Sequence, residues 1–187
     1  KEGKMPRFLV TGGSGFIGSN FINEILSHDE NTVCNIDCHT YASVPLTELR
    51  LSKNHRYTHH PIDICDKQMV LKAILDFKPH VLVHLAAESH VDRSIENPLD
   101  FLQTNIMGTH SLLSGALEWI QKTEEEFLFH HVSTDEVFGS LSEDDPAFGT
   151  ATAYAPNSPY SSSKAGSDFI ARAWHKTYDL PVIISNC

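Results

Sequence analysis

Long hydrophobic runs are missing from this sequence: no apolar segment in the 187 residues approaches the roughly 20 residues that a membrane-spanning helix needs. The first residues, 1–6, also lack the apolar stretch of a secretory signal. Basic residues are scarce, since 14 lysines and arginines stand against 24 aspartates and glutamates, a formal net charge of −10. A net negative charge opposes binding to the negatively charged phosphates of nucleic acids. We therefore expect a soluble, cytoplasmic protein with neither nucleic acid nor membrane as a partner.

Cysteines are also few, with four in the whole sequence, which is too sparse for the disulfide framework of a small secreted domain. Cys34 and Cys38, followed by His39, suggest a metal site, but no second Cys or His pair follows at a zinc spacing. The histidine doublets 59–60 and 130–131 do not share an ion, because neighbours in a strand point to opposite faces. We therefore expect reduced thiols and no metal.

Short apolar runs alternate with helical patterns along the chain. Near-continuous apolar runs are typical of buried parallel strands, and they are predicted at Arg7–Thr11, Val33–Asp37, Tyr57–Ile62, His80–Ala86, Phe127–Ser133 and Pro181–Ser185. Helical periodicity is found at Gly15–His28, Lys67–Phe77, Pro98–Lys122 and Ser158–Tyr178. This alternation predicts an α/β protein with a doubly wound parallel sheet, the Rossmann fold, as one domain over residues 1–187.

Two stretches interrupt this alternation. Asp37–His55 has only a weak helical pattern, at Pro45–Leu51, and Ser140–Pro159 is acidic and without periodicity. Both follow strands, and open α/β sheets bind ligands beyond the carboxyl ends of their strands. The sequence stops at Cys187 directly after a predicted strand, so we expect it to be cut short.

The segment TGGSGFIG, residues 11–18, places Gly12, Gly15 and Gly18 between the first strand and the first helix. Glycines at this point let a pyrophosphate approach backbone N–H groups at the positive end of a helix dipole. Asp37 ends the second strand, where a carboxylate accepts hydrogen bonds from ribose hydroxyls and repels a 2′-phosphate. The pattern favours NAD over NADP; the alternatives are a plain glycine turn and an exposed turn aspartate.

A second group of polar residues follows the fifth strand. Thr134, Asp135 and Glu136 come at its end, and Tyr160 and Lys164 follow four residues apart in a helical pattern. That spacing places phenol and ammonium on one helix face, so the cation can lower the phenol's pKa and let it act as a base. A bare Y-x-x-x-K usually marks a surface helix, but a preceding dinucleotide loop makes it far more informative.

Four segments in this order, TGGSGFIG, AAESHVDRS, STDEV and YSSSK, resemble the extended short-chain dehydrogenase/reductases, and specifically the dTDP-glucose 4,6-dehydratases. The resemblance covers essentially all 187 residues. It implies NAD as the cofactor, a nucleotide sugar (dTDP-glucose) as the substrate, and a homodimer formed by the helices at 98–122 and 158–178. It also implies a smaller C-terminal substrate domain, which is missing from this sequence.

The resemblance assigns the chemistry to five residues. Tyr160, assisted by Lys164 and Thr134, would remove the proton of the glucosyl 4-hydroxyl while C4 passes a hydride to NAD. Glu136 would then remove the C5 proton, and Asp135 would protonate the departing 6-hydroxyl. The hydride returns to C6, which leaves a 4-keto-6-deoxy sugar nucleotide.

The resemblance also implies which residues contact the cofactor and the substrate. Cofactor contacts fall on the glycines above, on Tyr160 and Lys164, and on Phe16, Ile17, Asp37, Cys38, His39, Thr40, Asp63, Ile64, Leu85, Ala86, Ala87, Glu88, Ser89, Thr104 and Cys187. Substrate contacts fall on Ser89, Thr134 and Asn186. From position alone, Asp63 and Ile64 after the third strand and residues 85–88 after the fourth are equally well explained as turns at the strand ends.

One departure from the family pattern is local. Cys38 and His39 stand where the family has Lys-Leu, so a cation is lost near the adenosine end. Two other functions stay open. A nucleotide-sugar 4-epimerase or decarboxylase of the same fold needs no acid–base pair such as Asp135 and Glu136, and a non-catalytic NAD-binding module needs none of the five reactive residues.

Overall fold

The computed structural model describes residues 5–44 and 50–187, and it contains a six-stranded sheet in the order β3-β2-β1-β4-β5-β6. Every neighbouring pair is parallel. The strands are β1 Arg7–Thr11, β2 Thr32–Ile36, β3 Tyr57–His60, β4 Val81–His84, β5 Leu128–Ser133 and β6 Val182–Asn186. The predicted doubly wound fold is confirmed. The strand order reverses between β1 and β4, and ligands bind at such a switch point.

The helices are α1 Phe16–Leu26, α2 Lys67–Phe77, α3 Val91–Glu96, α4 Pro98–Phe101, α5 Thr109–Ile120 and α6 Pro159–Tyr178. A π-helical segment, Leu102–Gly108, joins α4 to α5, and a 3₁₀ turn, Asp135–Phe138, follows β5. The helical pattern predicted at Pro45–Leu51 lies largely outside the described residues. Within the described part of the chain, no helix is both long and apolar enough to cross a membrane.

Apolar side chains pack on both faces of the sheet. Successive side chains of a strand point to opposite faces, so Leu9 and Val10 of β1 belong to different clusters although both are fully buried. The Leu9 cluster includes side chains of α2, α5 and α6, whereas the Val10 cluster includes side chains of α1. The central strands are therefore fixed from both sides, and their carboxyl ends form a rigid edge.

The start of α6 is set by its own sequence. The Ser158 side chain accepts a hydrogen bond from the Ser161 amide at 3.0 Å, and the Ser158 amide donates one to the Ser161 hydroxyl at 2.9 Å. Pro159 occupies the first turn, where its missing N–H costs nothing. This capping box places Tyr160 in the first turn of the helix, at the carboxyl edge of the sheet.

Candidate active site

The three motif glycines have two different structural roles. Gly12 has a φ of +71°, and a Cβ there would lie 2.6 Å from the Ala86 amide nitrogen. A Cβ on Gly18 would lie 2.2 Å from the Gly12 carbonyl oxygen. Gly15 has ordinary extended backbone, and a Cβ there meets only the Gly12 oxygen at 3.4 Å. Gly12 and Gly18 therefore allow β1, β4 and α1 to pack closely, while Gly15 leaves open space on the ligand side.

The end of β2 holds the glycine turn in place. The buried Asn35 accepts a hydrogen bond from the Gly13 amide at 3.0 Å and donates one to the Ser14 hydroxyl at 3.1 Å. Asp37 accepts from the Ser14 amide at 2.9 Å and from the His39 amide at 2.8 Å, one bond to each oxygen. A carboxylate has about four acceptor positions, so Asp37 keeps capacity for ribose hydroxyls. Sequence reasoning missed Asn35, whose signal is a polar side chain inside an apolar strand.

A cleft of about 970 Å³ runs along the carboxyl edge of the sheet, at the upper end of the range for cofactor sites. Its wall includes nearly all the side chains expected to contact a cofactor or substrate: Gly12, Gly15, Phe16, Ile17, Gly18, Asp37, Cys38, Thr40, Asp63, Ile64, Leu85, Ala86, Ala87, Glu88, Ser89, Thr104, Thr134, Tyr160, Lys164 and Cys187. Two expected residues are not on this wall. His39 stacks on His59 with ring centroids 4.4 Å apart, and Asn186 donates a hydrogen bond to the Thr134 carbonyl at 2.9 Å.

The wall also contains Ser133, the first residue of the segment STDEV, and residues that no motif had indicated: Ile36, Ala42, Ser43, Ile62, Cys65, Asp100, Gln103 and Val132. A further omission is Asn105, which is buried in the π-helical segment. Its side chain accepts from the Glu88 amide and donates to the Glu88 carbonyl, both at 2.9 Å, and it donates to the Ser163 hydroxyl at 2.8 Å. Asn105 therefore ties the loop after β4 to α6.

Tyr160 and Lys164 are both buried beside the cleft, with 8% and 5% of their surface exposed. Burial raises the pKa of Tyr160, the charges of Glu136 and Asp135 raise it further, and a hydrogen bond with Thr134 opposes the rise. The sequence had predicted a phenol pKa lowered by Lys164. The structure differs because burial dominates and the Lys164 ammonium donates instead to the Val132 carbonyl, at 2.8 Å. Burial also lowers the pKa of Lys164, to about 8.

Asp135 and Glu136 lie in the 3₁₀ turn that follows β5, and both side chains are exposed. Thr134 caps this turn, because its hydroxyl accepts a hydrogen bond from the Glu136 amide at 3.3 Å. The Asp135 amide donates to the Cys187 carbonyl at 3.2 Å. Neither carboxylate is part of the cleft wall, but both are close enough to the phenol for their charges to raise its pKa. The turn therefore brings two acids to the side of the cleft on which Tyr160 lies.

The known proteins that this chain resembles include nucleotide-sugar enzymes. The family model for GDP-mannose 4,6 dehydratase matches residues 9–187. The dTDP-glucose 4,6-dehydratase of Haemophilus influenzae is 48% identical over 186 residues, which cover 97% of this chain and 55% of that protein. The chain thus spans about half the length of the curated relatives it matches.

Two solved structures are similar in fold. The crystal structure of DesIV, a dTDP-glucose 4,6-dehydratase from Streptomyces venezuelae with NAD bound, has a TM-score of 0.88 and 39% identity, covering 97% of this chain and 55% of that chain. The UDP-glucose 4-epimerase of Thermus thermophilus, in complex with NAD, has a TM-score of 0.83 and 25% identity, covering 96% and 54%. The dehydratase shares more of the sequence, although the backbone resembles both.

Proposed function

This chain belongs to the GDP-mannose 4,6 dehydratase family, and from that membership we propose that residues 1–187 are the NAD-binding and catalytic half of a dTDP-glucose 4,6-dehydratase. The observation that carries the proposal is the meeting of Tyr160, Lys164 and Thr134 on the cleft that begins at the glycine turn. The two carboxylates beside the phenol support dehydration over epimerisation. The relative from Haemophilus influenzae, which is 48% identical, is named for this substrate.

The cleft residues fit NAD. The open side of Gly15 accommodates a diphosphate near the start of α1, and Asp37 retains acceptors for ribose hydroxyls while its charge disfavours a 2′-phosphate. Ala86 and Ala87 leave room for a flat ring on the wall at the end of β4. NAD, when bound, would accept the hydride from C4 of the sugar and return it to C6 after water has left, so that the cofactor is regenerated.

Three side chains, Tyr160, Glu136 and Asp135, move the protons of the proposed reaction, and Thr134 and Lys164 assist the first of them. The Tyr160 oxygen accepts the proton of the sugar 4-hydroxyl, assisted by a hydrogen bond with Thr134 that lowers the pKa of the phenol. Lys164 lies one helical turn after Tyr160, on the same face of α6. The resulting 4-ketone acidifies C5–H, so Glu136 removes that proton as a carboxylate. Asp135 gives a proton to the 6-hydroxyl, which leaves as water. Two adjacent acids supply one group for each of these opposite tasks, a base for C5–H and an acid for the 6-hydroxyl.

The proposed function is tested with the whole protein, supplied with NAD and either dTDP-glucose or GDP-mannose. We expect the 4-keto-6-deoxy product from dTDP-glucose, detected by mass spectrometry as the loss of one water. A strong preference for GDP-mannose would overturn the substrate assignment. Conversion without water loss would favour an epimerase, and no conversion of either sugar would overturn the enzymatic proposal.

Gly15→Val tests the placement of the cofactor. The backbone at Gly15 accepts a side chain, but an isopropyl group there projects into the cleft. Forcing extra side-chain volume into an occupied contact costs about 1–3 kcal/mol. Each 1.4 kcal/mol corresponds to a tenfold loss of affinity. We therefore expect NAD binding to weaken about 10- to 100-fold by titration calorimetry, with the melting temperature unchanged.

The matched control for this change is Gly149→Val, since a Cβ at Gly149 has nothing within 4 Å and that residue lies outside the cleft. We expect the control to bind NAD like the unaltered protein. Equal affinity of Gly15→Val and Gly149→Val would show that the diphosphate does not pass Gly15.

We also propose a homodimer in which the helices from Pro98 to Ile120 and α6 of two subunits pack together. Leu99, on α4, and Phe169, on α6, are 67% and 57% exposed, a large apolar area for a surface. Phe169→Glu would place two charges in that interface. We expect it to halve the mass measured by light scattering, while Met69→Glu, at an exposed position of α2, leaves the mass unchanged. A monomeric unaltered protein would contradict the proposal.

A further inference from the structure

One buried carboxylate next to the reactive pair has no part in the proton transfers described above. Tyr160, Lys164 and Asp168 follow one another at intervals of four along α6, so they share one helix face. Asp168 has 1% of its surface exposed. A charged carboxylate at such depth is costly unless hydrogen bonds and an opposite charge compensate it. Its position therefore needs an explanation.

The hydrogen bonds of Asp168 are all donated to it. His131 Nε2 lies 2.9 Å from Oδ1, while the hydroxyls of Ser133 and Tyr154 donate to Oδ2 at 2.7 and 2.8 Å. These donors come from β5 and from the segment before α6. Three donors and no acceptor are the surroundings that suit an ionised carboxylate.

The imidazoles on the sheet side of Asp168 do not neutralise it. His131 and His84 are buried with their rings 5.3 Å apart, and burial lowers the pKa of both, so each is neutral at neutral pH. His131 Nδ1 has no hydrogen-bond partner among the residues that the structure describes. Lys164, one helical turn before Asp168 on the same face of α6, is a cation buried as deeply as this carboxylate, whereas Arg172, one turn after it, is exposed.

The other ionisable groups packed around this pair do not take over the role of Asp168. Tyr160 lies one helical turn before Lys164. The charge of His130 lowers the pKa of His131, and the charge of Arg172 lowers the pKa of Tyr154. Cys187, the residue after β6, also raises the pKa of Lys164, but less than Asp168 does. Burial lowers the pKa of Lys164 to about 8, and the charge of Asp168 is the largest effect that opposes this fall.

Building on the proposed function, we propose that Asp168 is a positioning residue whose negative charge keeps Lys164 protonated in its buried place. The protonated ammonium donates to the Val132 carbonyl at 2.8 Å, one helical turn after Tyr160 on the same face of α6. Ser133, Tyr154 and His131 in turn fix the carboxylate. Asp168 touches neither the cleft nor the substrate, since it is absent from the cleft wall.

The test is the pH dependence of turnover in the whole protein carrying Asp168→Asn. Lysine is charged below its pKa, so losing the counter-charge moves the alkaline fall in kcat to lower pH, by about one unit for a nearby opposite charge. Relative to the unaltered protein we expect about fivefold lower kcat near pH 8 and little change near pH 6, with KM unchanged. A uniform loss at every pH, with the alkaline fall unmoved, would overturn the proposal.

Two matched variants separate charge from packing. Asp168→Glu retains the charge, so we expect it to restore the alkaline fall toward its original pH. Tyr154→Phe removes one hydrogen bond to the carboxylate without removing the charge, so we expect no shift of the profile. A shift in Tyr154→Phe as large as that in Asp168→Asn would contradict the role of the charge.

A second measurement needs no turnover. The ε-carbon of Lys164, labelled with ¹³C and assigned by comparison with Lys164→Met, reports its protonation by NMR in the whole protein. We expect it to titrate near pH 8 in the unaltered protein and at lower pH in Asp168→Asn. A neutral Lys164 at pH 7 in the unaltered protein would overturn the proposal even if the variant did not fold. A shifted titration in a protein that dehydrates no sugar would instead reject the proposed function alone.

Discussion

We expect Tyr160→Phe to lower the turnover of dTDP-glucose by the whole protein about 1,000-fold, within the range of 100- to 10,000-fold that general acid–base catalysis contributes. The ring keeps its place, because it is buried and packs edge-to-face on Phe101 with centroids 6.3 Å apart. Only the hydroxyl that meets Thr134 is lost. In the proposed mechanism the proton of the 4-hydroxyl then lacks its acceptor, so we expect oxidation at C4 to become slow while NAD still binds.

This result is measured as product formation by mass spectrometry and as NAD affinity by calorimetry. The matched control is Tyr178→Phe, which removes a phenol hydroxyl from the exposed end of the same helix. We expect the control to retain full turnover. A Tyr160→Phe protein with more than about a tenth of the original turnover would exclude the phenol as the catalytic base.

Glu136→Gln acts on the second proton transfer and leaves the first intact. The substitution preserves the length of the side chain, and the turn is held through the Glu136 amide, which donates to Thr134 at 3.3 Å. Because an amide does not accept the C5 proton, we expect exchange of that proton with solvent to fall about 1,000-fold, a typical effect of removing a general base. Binding of NAD and of the sugar nucleotide is unchanged.

The exchange is followed in D₂O as deuterium uptake at C5 by proton NMR. Glu143→Gln provides the control, since it removes a carboxylate from the exposed acidic segment after β5 that is outside the cleft wall. Uptake of deuterium at the original rate in Glu136→Gln would remove Glu136 from its assigned role. In that case another group beside the phenol would have to serve as the base.

Periodicity was sufficient to predict the sheet and most helices. Apolar runs bounded by turns gave six strands, and each lies within a few residues of its predicted position. The helix predicted at Pro98–Lys122 is instead divided into α4, the π-helical segment and α5. That division was not predictable because Asn105 bonds to Glu88 and to Ser163, and these contacts exist only once the chain has folded.

The candidate site was predictable where a motif ties residue type to backbone position. The glycine turn and Asp37 follow from such a motif, and all are placed on the cleft wall. The direction of the phenol's pKa was not predictable, because burial of Tyr160 depends on helices and strands distant in sequence. The same holds for Asp168, whose partners Ser133 and His131 lie on β5.

The most direct test of the account follows deuterium placed at C4 of dTDP-glucose through a reaction of the whole protein with NAD. Hydride removal at C4, loss of water and return of the hydride together predict that the deuterium is recovered at C6 of a 4-keto-6-deoxy product. Deuterium returned to C4 of a sugar that has lost no water would contradict dehydration. Deuterium that never leaves C4 would contradict oxidation at the cleft altogether.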